Sequence, residues 1–528
     1  MEHEVGVRGV LVRAPCPSEV GRFQDAGPQR AARSLLRRER RGAHVPIAIG
    51  RGAVGELDGV QHPVAVEPVI PAVRLEARVA AIADEGTGEV VGQLSLDHGN
   101  VGGDLCMDRG VVAVEVRASQ TLVEHVGHAP SLAPDRLADM SAGAGDPGER
   151  QTLQIEKVVA GGRGLGRAPD GRIALVSGAL PGERVEAIVR VSRRDVLFAD
   201  LASVEIASPD RVAPPCPKVA IGCGGCDWQH IAPAAQAVLK RAIVIDAFAR
   251  IGRISDAPLS DSVTLPARAY RQRARVFVGD DGRPAYRQSR SHTMVPFAEC
   301  LVLHPTLDAL LREAPLPRRR ELEIAVGERT GEVLASPRVG PPARSDHYHE
   351  EVAGSRFRIS AGSFFQIRTD GAEALVDLVR AAAGSPASLV DLYGGVGVFA
   401  ATIPAARAIV VESGARAVSD ARHNLRGRSG AFVVRNRVER WQPTEHAEVV
   451  IADPSRSGLG RPGVATVLAC RPERVVLVSC DAAAMARDVR AIIDAGYELE
   501  RSTVVDLFPM TAHIETVSDL RRVRPRAS

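Results

Sequence analysis

The residue whose type and position most clearly suggest a chemical role is a cysteine at the end of an apolar run. Cys480 closes the run RVVLVSC (474–480) and lies between Ser479 and Asp481. A lone cysteine in such a place is usually a buried core residue, although its polar neighbours weaken that interpretation. If the run is a strand of an α/β sheet, the thiol lies where these sheets place their active sites and could act as a nucleophile.

Two carboxylates accompany this thiol in the C-terminal part of the chain. Asp453 follows the apolar run AEVVIA (447–452), so the same reasoning places it at the carboxyl end of a strand. Glu515 ends the segment FPMTAHIE (508–515), where its type alone is more typical of a surface carboxylate than of a general base. A thiol with nearby carboxylates could carry out covalent catalysis.

A glycine-rich segment indicates a site for a nucleotide-like ligand. The segment LVDLYGGVGVFA (389–400) has an apolar run up to Asp391, glycines at 394, 395 and 397, and then a helical pattern. Glycines at such a turn let a ligand approach the backbone at the helix N-terminus. Glu412 ends the next apolar run, about 20 residues on, where it could hold ribose hydroxyls. This spacing fits a dinucleotide as well as S-adenosylmethionine.

Four of the eight cysteines have spacings typical of metal ligands. Cys216, Cys223 and Cys226 lie close together, and Cys300 follows at a distance. In a reducing compartment such a set indicates metal binding rather than disulfides. Both zinc and iron–sulfur clusters accept cysteine ligands in arrangements of this kind.

The surrounding sequence predicts the elements that would position these residues. From about residue 357 onward, apolar runs alternate with helical stretches, which is typical of an α/β domain. Residues 151–207 alternate short β runs with glycine and proline turns, so they predict a small five-stranded barrel of the kind that binds looped nucleic acid. The segment GGRGLG (161–166) is interpreted as a barrel turn rather than a phosphate loop. A helix is expected over residues 232–251.

Residues 1–148 differ from the rest of the chain. Phe23 is their only aromatic residue, an arginine-rich run occupies residues 37–41, and residues 141–151 are typical of a linker. The favoured interpretation is a mis-called start, with the protein beginning near Met140. A poorly packed extension and an RNA-binding arm are the alternatives.

Composition limits the class of protein. A chain of 528 residues is too long for one core, and we expect two to four domains. The net charge of +3 does not identify a nucleic-acid binder, and the predominance of arginine over only three lysines is typical of a GC-rich genome. Without a long apolar run or a signal peptide, we expect a cytoplasmic protein that does not contact membranes.

Taken together, the segments resemble the RNA uridine-5-methyltransferases of the TrmA/RlmD type over about residues 150–520. The matching C-terminal segments are DLYGGVGVF (391–399), DPSRSG (453–458), SCDAAAMARD (479–488) and FPMTAHIE (508–515). The matching upstream segments are CPKVAIGCGGCDWQH (216–230), YRQRARVFVG (270–279), AECLVLHP (298–305) and FFQI (364–367).

The resemblance implies an architecture with three parts after the N-terminal extension. These are a TRAM-like or OB-like β-barrel at 149–208, a central α+β domain with an iron–sulfur site at 209–345, and a Rossmann-like α/β methyltransferase domain at 346–528. It also implies S-adenosylmethionine as methyl donor and a [4Fe-4S] cluster, with zinc as the competitor, held by the cysteines at 216, 223, 226 and 300.

The resemblance further assigns roles to single residues. Cys480 would be the nucleophile on C6 of a uridine, Glu515 the base that removes the C5 proton, and Asp453 and Arg275 the groups that contact the uracil or stabilise its enolate. The residues expected to line the donor pocket are Gln366, Asp391, Tyr393, Gly395, Glu412 and Asp453. The expected partner is RNA, with ribosomal RNA favoured over a tRNA loop, and we expect a monomer.

Several positions depart from the family pattern. The family has Asn-Pro-x-Thr where residues 481–484 are Asp-Ala-Ala-Ala, and Ser455 replaces a proline. A catalytically decayed RNA-binding factor is therefore the alternative function. A radical methylthiotransferase, which also combines a barrel with a cluster, requires the spacing C-x₃-C-x₂-C, which the cysteines at 216, 223 and 226 do not have.

Overall fold

The computed structural model describes residues 147–289 and 291–523, together with the backbone of nine short strands between residues 5 and 118. Those strands form one sheet within a separate unit, Met1–Ala133. The arginine-rich run at 37–41 and the start expected near Met140 lie outside the described residues. The strands are β1 (Val5–Gly6), β2 (Val10–Arg13), β3 (Ala48–Ile49), β4 (His62–Glu67), β5 (Leu75–Ala83), β6 (Val90–Leu96), β7 (Gly102–Asp108), β8 (Val111–Val114) and β9 (Arg117–Ala118).

The second unit begins with the barrel that the sequence predicts. Five strands close in the order β10-β11-β12-β14-β13, and their alternating apolar side chains fill the interior. The segment 161–166 begins with the turn between β10 and β11 and then enters β11, so it is barrel structure as expected. The strands are β10 (Arg150–Val159), β11 (Arg163–Arg167), β12 (Ile173–Ser177), β13 (Arg184–Ser192) and β14 (Val196–Ile206).

A helix and a small antiparallel sheet follow the barrel. The sheet has the order β18-β17-β16-β19-β20. Helix α2 packs against it, and the two share a separate apolar core. The elements are α1 (Pro233–Ala247), which continues as a π-helical turn (Phe248–Gly252), β15 (Val263–Thr264), β16 (Arg273–Val278), β17 (Pro284–Arg287), β18 (Met294–Pro296), α2 (Pro305–Glu313), β19 (Arg320–Val326) and β20 (Val333–Ser336).

The C-terminal part is a mixed eight-stranded sheet with helices on its faces. Its order is β15-β28-β29-β27-β26-β23-β24-β25, and β29 alone runs antiparallel to its neighbours. A hairpin, β21 (His347–Val352) and β22 (Ser355–Ser360), precedes it. The remaining elements are α3 (Thr369–Ala383), β23 (Ser388–Leu392), α4 (Val398–Thr402), β24 (Arg407–Glu412), α5 (Ala415–Asn424), β25 (Ala431–Arg435), β26 (Val449–Ala452), α6 (Gly460–Ala469), β27 (Arg474–Ser479), α7 (Ala482–Asp494), β28 (Tyr497–Asp506) and β29 (Glu515–Arg522).

The predicted boundary at residue 345 does not separate two independent cores. Ile243 and Val244 of α1 are fully buried in the same apolar cluster as strands of the C-terminal sheet. Strand β15 also pairs with β28, so it belongs to that sheet. The sequence pattern could not show this, because a helix buried by a distant sheet has the same periodicity as one buried locally.

The described residues contain no helix that is both long and apolar enough to cross a membrane.

Candidate functional site

Strand pairing brings the predicted nucleophile and the predicted base together. Ser479, the last residue of β27, pairs with Thr516 of the antiparallel strand β29, and the Thr516 hydroxyl donates to the Ser479 carbonyl oxygen at 3.2 Å. Because the strands are antiparallel, the residue after Ser479 lies opposite the residue before Thr516. These residues are Cys480, which is partly buried, and Glu515, which is 4% exposed.

Asp453 joins this pair from the neighbouring strand. It follows β26, which lies between β23 and β27, and its backbone N–H donates to the carbonyl of Leu392 at 3.3 Å. Burial raises the pKa of Asp453 to about 7. Burial, and then the negative charge of Asp453, raise the pKa of Glu515 well above its ordinary value. The two carboxyl groups therefore compete for ionisation at neutral pH.

The thiol between these carboxyls is difficult to ionise. Burial is the largest cause that raises the pKa of Cys480 to about 12, and the charges of Glu515 and Asp453 add to it. The nearby guanidinium of Arg456 acts in the opposite direction. Because a thiolate is the reactive form of a cysteine, this positive charge favours the form that could act as a nucleophile.

Arg456 is a candidate site residue that the sequence argument did not single out. It is exposed in the loop after β26, and its guanidinium lies 3.3 Å from both ring nitrogens of His513. Its position within the DPSRSG segment was visible in the sequence. Its closeness to Cys480 depends on the fold, because the two residues follow different strands.

Replacing Arg456 with alanine is expected to lower kcat/KM about tenfold. Loss of its positive charge should raise the pKa of Cys480, and each unit of that rise reduces the thiolate fraction about tenfold. The pH profile of kcat/KM should also move to higher pH. Arg456→Lys keeps a positive charge and should retain most of the activity. Initial rates measured from pH 6 to pH 10 check this, and superimposable profiles for alanine and wild type would contradict it.

Helix α7 holds the loop that carries Arg456. The Asp488 carboxylate accepts from the backbone N–H groups of Leu459 at 2.6 Å and Gly460 at 3.2 Å. Arg487 donates to the carbonyl oxygen of Ser457 at 2.8 Å. Arg487 and Asp488, which end the segment 479–488, therefore hold the DPSRSG segment (453–458) and the residues that follow it in place.

At residues 481–484, which depart from the family pattern, the structure still has a capped helix start next to Cys480. Asp481 is the N-cap of α7, and its side chain accepts from the backbone N–H of Ala484 at 2.8 Å. Aspartate and asparagine are about equally good at this position. The cap holds the helix start directly behind Cys480.

Loss of this cap is expected to destabilise the protein. Asp481→Ala should lower the free energy of unfolding by about 1 kcal/mol, whereas Asp481→Asn should change it by only a few tenths. Urea denaturation of the two variants, with equal slopes, measures the difference. Equal midpoints for alanine and asparagine would show that the cap does not stabilise α7.

The glycine loop has an open face at the same edge of the sheet. Asp391 is fully buried, its Oδ2 accepts from Ala400 N–H at 3.1 Å, and its Oδ1 has no hydrogen-bond partner. Burial raises the pKa of Asp391 to about 7. Gly395 has a φ of 54° and open space where a Cβ would lie. Glu412 accepts from the N–H of Gly395 at 3.2 Å, so it orders the loop.

Three other predicted site residues are not part of the cluster formed by Cys480, Glu515 and Asp453. Tyr393 donates its hydroxyl to Glu439 at 2.9 Å, and Gln366 is partly buried beyond the hairpin. Arg275 lies on β16, where its side chain is 64% exposed and 3.6 Å from Glu321. Their roles toward donor and substrate stay predictions.

The four cysteines surround one cavity. Cys216, Cys223, Cys226 and Cys300 line a space of about 30 Å³ together with Arg271 and Tyr286. Burial raises the pKa of Cys226 to about 11. The Arg271 Nε and the Tyr286 hydroxyl are buried without a hydrogen-bond partner. Within the described residues, no group of three or more His, Cys, Asp or Glu side chains could hold a metal ion.

Comparisons with known proteins identify the barrel domain and the fold. Residues 146–202 match the TRAM domain model. The fold is similar to the crystal structure of Pyrococcus abyssi tRNA (uracil-54, C5)-methyltransferase in complex with S-adenosyl-L-homocysteine, with a TM-score of 0.55 and 24% identity over 70% of this chain and 100% of that chain.

Relatives with closer sequences decide the family. An RNA methyltransferase of Streptomyces coelicolor is 32% identical over 427 residues, which cover 71% of this chain and 93% of that protein. The 23S rRNA (uracil(1939)-C(5))-methyltransferase RlmD of Methylococcus capsulatus is 31% identical over 443 residues, covering 71% and 98%. The chain belongs to the RNA methyltransferase family. The family predicted for this RNA methyltransferase from its sequence segments is thereby confirmed.

Proposed function

We propose that this RNA methyltransferase transfers a methyl group from S-adenosylmethionine to C5 of a uridine in RNA through a covalent bond to Cys480. The observation that carries the proposal is the convergence of Cys480, Glu515 and Asp453 at the ends of adjacent strands. A decayed RNA-binding factor would have no need to keep a thiol, two carboxyl groups and an arginine together.

The thiolate begins the reaction. The sulfur of Cys480 bonds to C6 of the uracil, and the C5–C6 π electrons move to C5 and O4 as an enolate. Carbon C5 then attacks the methyl group of the sulfonium donor, whose S–CH₃ bond breaks to give S-adenosylhomocysteine. In this proposal Asp453 hydrogen-bonds the uracil edge while the enolate charge develops.

Glu515 completes the reaction. Its carboxylate takes the C5 proton, the electrons of that C–H bond re-form the C5–C6 double bond, and the C6–S bond breaks to return the Cys480 thiolate. Glu515 must be ionised at this step. Its raised pKa makes it a strong acceptor for the proton, and Arg456 favours its ionised form.

The residues around the glycine loop fit the methyl donor. The free Oδ1 of Asp391 is a buried acceptor without a partner, and the open face at Gly395 allows an adenosine-like ligand close to the backbone. Glu412 ends the next strand, where a carboxylate can accept from ribose hydroxyls. Because this edge of the sheet also carries Cys480, donor and nucleophile can meet one uridine.

The proposed occupant of the cysteine cavity is a [4Fe-4S] cluster, which the family resemblance favours over zinc. Zinc is the competitor, because it also accepts four cysteine thiolates, each about 2.3 Å from the ion. A cluster separates its ligands more widely, and the Arg271 Nε and Tyr286 hydroxyl could donate to its sulfides. Bound there, a cluster would tie the segment 216–226 to Cys300.

Metal analysis of protein purified without oxygen tests the cluster. We expect brown protein with iron and sulfide in near-equal amounts, and Cys300→Ala should lose the colour. Cys470→Ala, which removes a buried thiol outside the cavity, should keep it. Stoichiometric zinc without iron would contradict the cluster.

The substrate class is tested by mapping the modified base. A loop or bulge that lets the uridine leave the stack is the expected target, with ribosomal RNA favoured over tRNA. Unmodified ribosomal RNA and tRNA incubated with the protein and labelled donor should yield 5-methyluridine on nucleoside mass analysis. Label on any other nucleoside, or none, would refute the proposal.

A further inference from the structure

The first turn of the barrel lies against the segment that leads into Glu515. Gly162 has a φ of 78°, and a Cβ added to it would overlap the methyl group of Ala512 and lie 2.7 Å from Nε1 of Trp228. Ala512 precedes Glu515 by three residues. The barrel and the C-terminal sheet are parts of one compact unit, so this contact is internal to it.

Trp228 connects the barrel turn to the same segment. Its indole N–H donates to the Gly162 carbonyl oxygen at 3.3 Å, and its backbone N–H donates to the Met510 carbonyl oxygen at 2.9 Å. The side chain is 1% exposed. The neighbouring Asp227 carboxylate accepts from Ala512 N–H at 3.0 Å.

The segment needs such support because its backbone is strained. Met510 has a φ of 64°, a conformation that non-glycine residues rarely adopt and that costs about 1 kcal/mol or more. Its N–H is held by the side-chain carbonyl of Gln236 at 2.6 Å. Lys240, fully buried, donates to the carbonyl of Phe508 at 3.0 Å and to Asp506 at 2.6 Å.

We propose that the Gly162 turn and Trp228 are positioning residues that hold the Met510–Glu515 segment so that the Glu515 carboxylate reaches the uracil C5 proton. The barrel thus contributes to turnover as well as to RNA binding. This inference rests on the proposed function, since it assigns the barrel a part in the last step of that reaction.

The chain supplies a matched control for this contact. Gly161→Ala and Gly162→Ala place the same methyl group at a positive φ, but a Cβ at Gly161 meets nothing within 4 Å. The two variants therefore share the backbone strain and differ in the contacts with Ala512 and Trp228. The double variant Gly162→Ala/Ala512→Gly removes the Ala512 methyl group and keeps the close approach to Trp228.

Two RNA substrates separate the steps. RNA with 5-fluorouridine at the target has no C5 proton to lose, so its adduct reports addition and methyl transfer without Glu515. We expect Gly162→Ala to form this adduct at the wild-type rate, but to turn over uridine RNA on the order of 10 to 100 times more slowly than Gly161→Ala. Methylated RNA should then stay attached to the protein in denaturant, and the double variant should recover part of the turnover.

Other outcomes would overturn the inference. They are equal turnover of the two glycine variants, or a loss confined to RNA affinity measured by filter binding. If Gly162→Ala does not fold, Ala512→Val takes its place, because the larger side chain at residue 512 crowds the same contact with Gly162. If the wild type itself forms no fluorouridine adduct, the covalent mechanism fails, which is a different result.

Discussion

Replacing Cys480 with alanine is expected to reduce RNA methylation by on the order of 10⁴-fold or more. Without the thiolate, C5 of uridine stays a poor nucleophile, and binding of RNA and donor cannot replace the covalent step. The variant should still bind RNA and the methyl donor, because Cys480 is only partly buried at the end of β27 and supports no other side chain by a hydrogen bond among the described residues. Single-turnover methylation at saturating enzyme measures the loss.

The matched control for this prediction is Cys470→Ala. Cys470 is fully buried at the end of α6, in the same sheet domain, and lies outside the site. Its replacement should leave methylation within about twofold of wild type once folding is confirmed. Equal activity in the Cys480 variant would exclude covalent catalysis by this thiol.

Replacing Glu515 with glutamine is expected to slow turnover by about 10² to 10⁴-fold, the usual contribution of a positioned base. The amide cannot accept the C5 proton, so the reaction should stop after methyl transfer. Methylated RNA joined to Cys480 should therefore accumulate and survive denaturing electrophoresis. A rapid first turnover followed by almost none is the expected time course.

Glu498→Gln provides the comparison. Glu498 is exposed on β28, which pairs with β29, and its loss removes the same charge without entering the site. It should turn over normally and leave no trapped RNA. A Glu515 variant that loses activity without accumulating adduct would show that the carboxylate acts before methyl transfer.

The sequence predicted the architecture because each element has its own local pattern. Alternating β runs predicted the barrel, and apolar runs separated by helical stretches predicted the α/β domain, as the structure confirms. The placement of Cys480 and Asp453 at strand ends also followed from local pattern, since each closes an apolar run.

The pairing of Cys480 with Glu515 could not be predicted from such patterns. It arises because β29 returns antiparallel between β27 and β28, and a strand's neighbours are not encoded in its own periodicity. The same reason hid Arg456, whose charge matters only once two loops meet. The contact of Gly162 with Ala512 joins residues 350 positions apart and was likewise invisible.

The central claim is that Cys480 bonds covalently to the target uridine, and mass analysis of a trapped complex tests it most directly. The protein is incubated with the methyl donor and 5-fluorouridine RNA, then digested with protease and nuclease. We predict a methylated fluorouridine nucleotide attached to the peptide that contains Cys480. Methylation of uridine RNA by a protein that forms no such adduct, or an adduct on another residue, would contradict it.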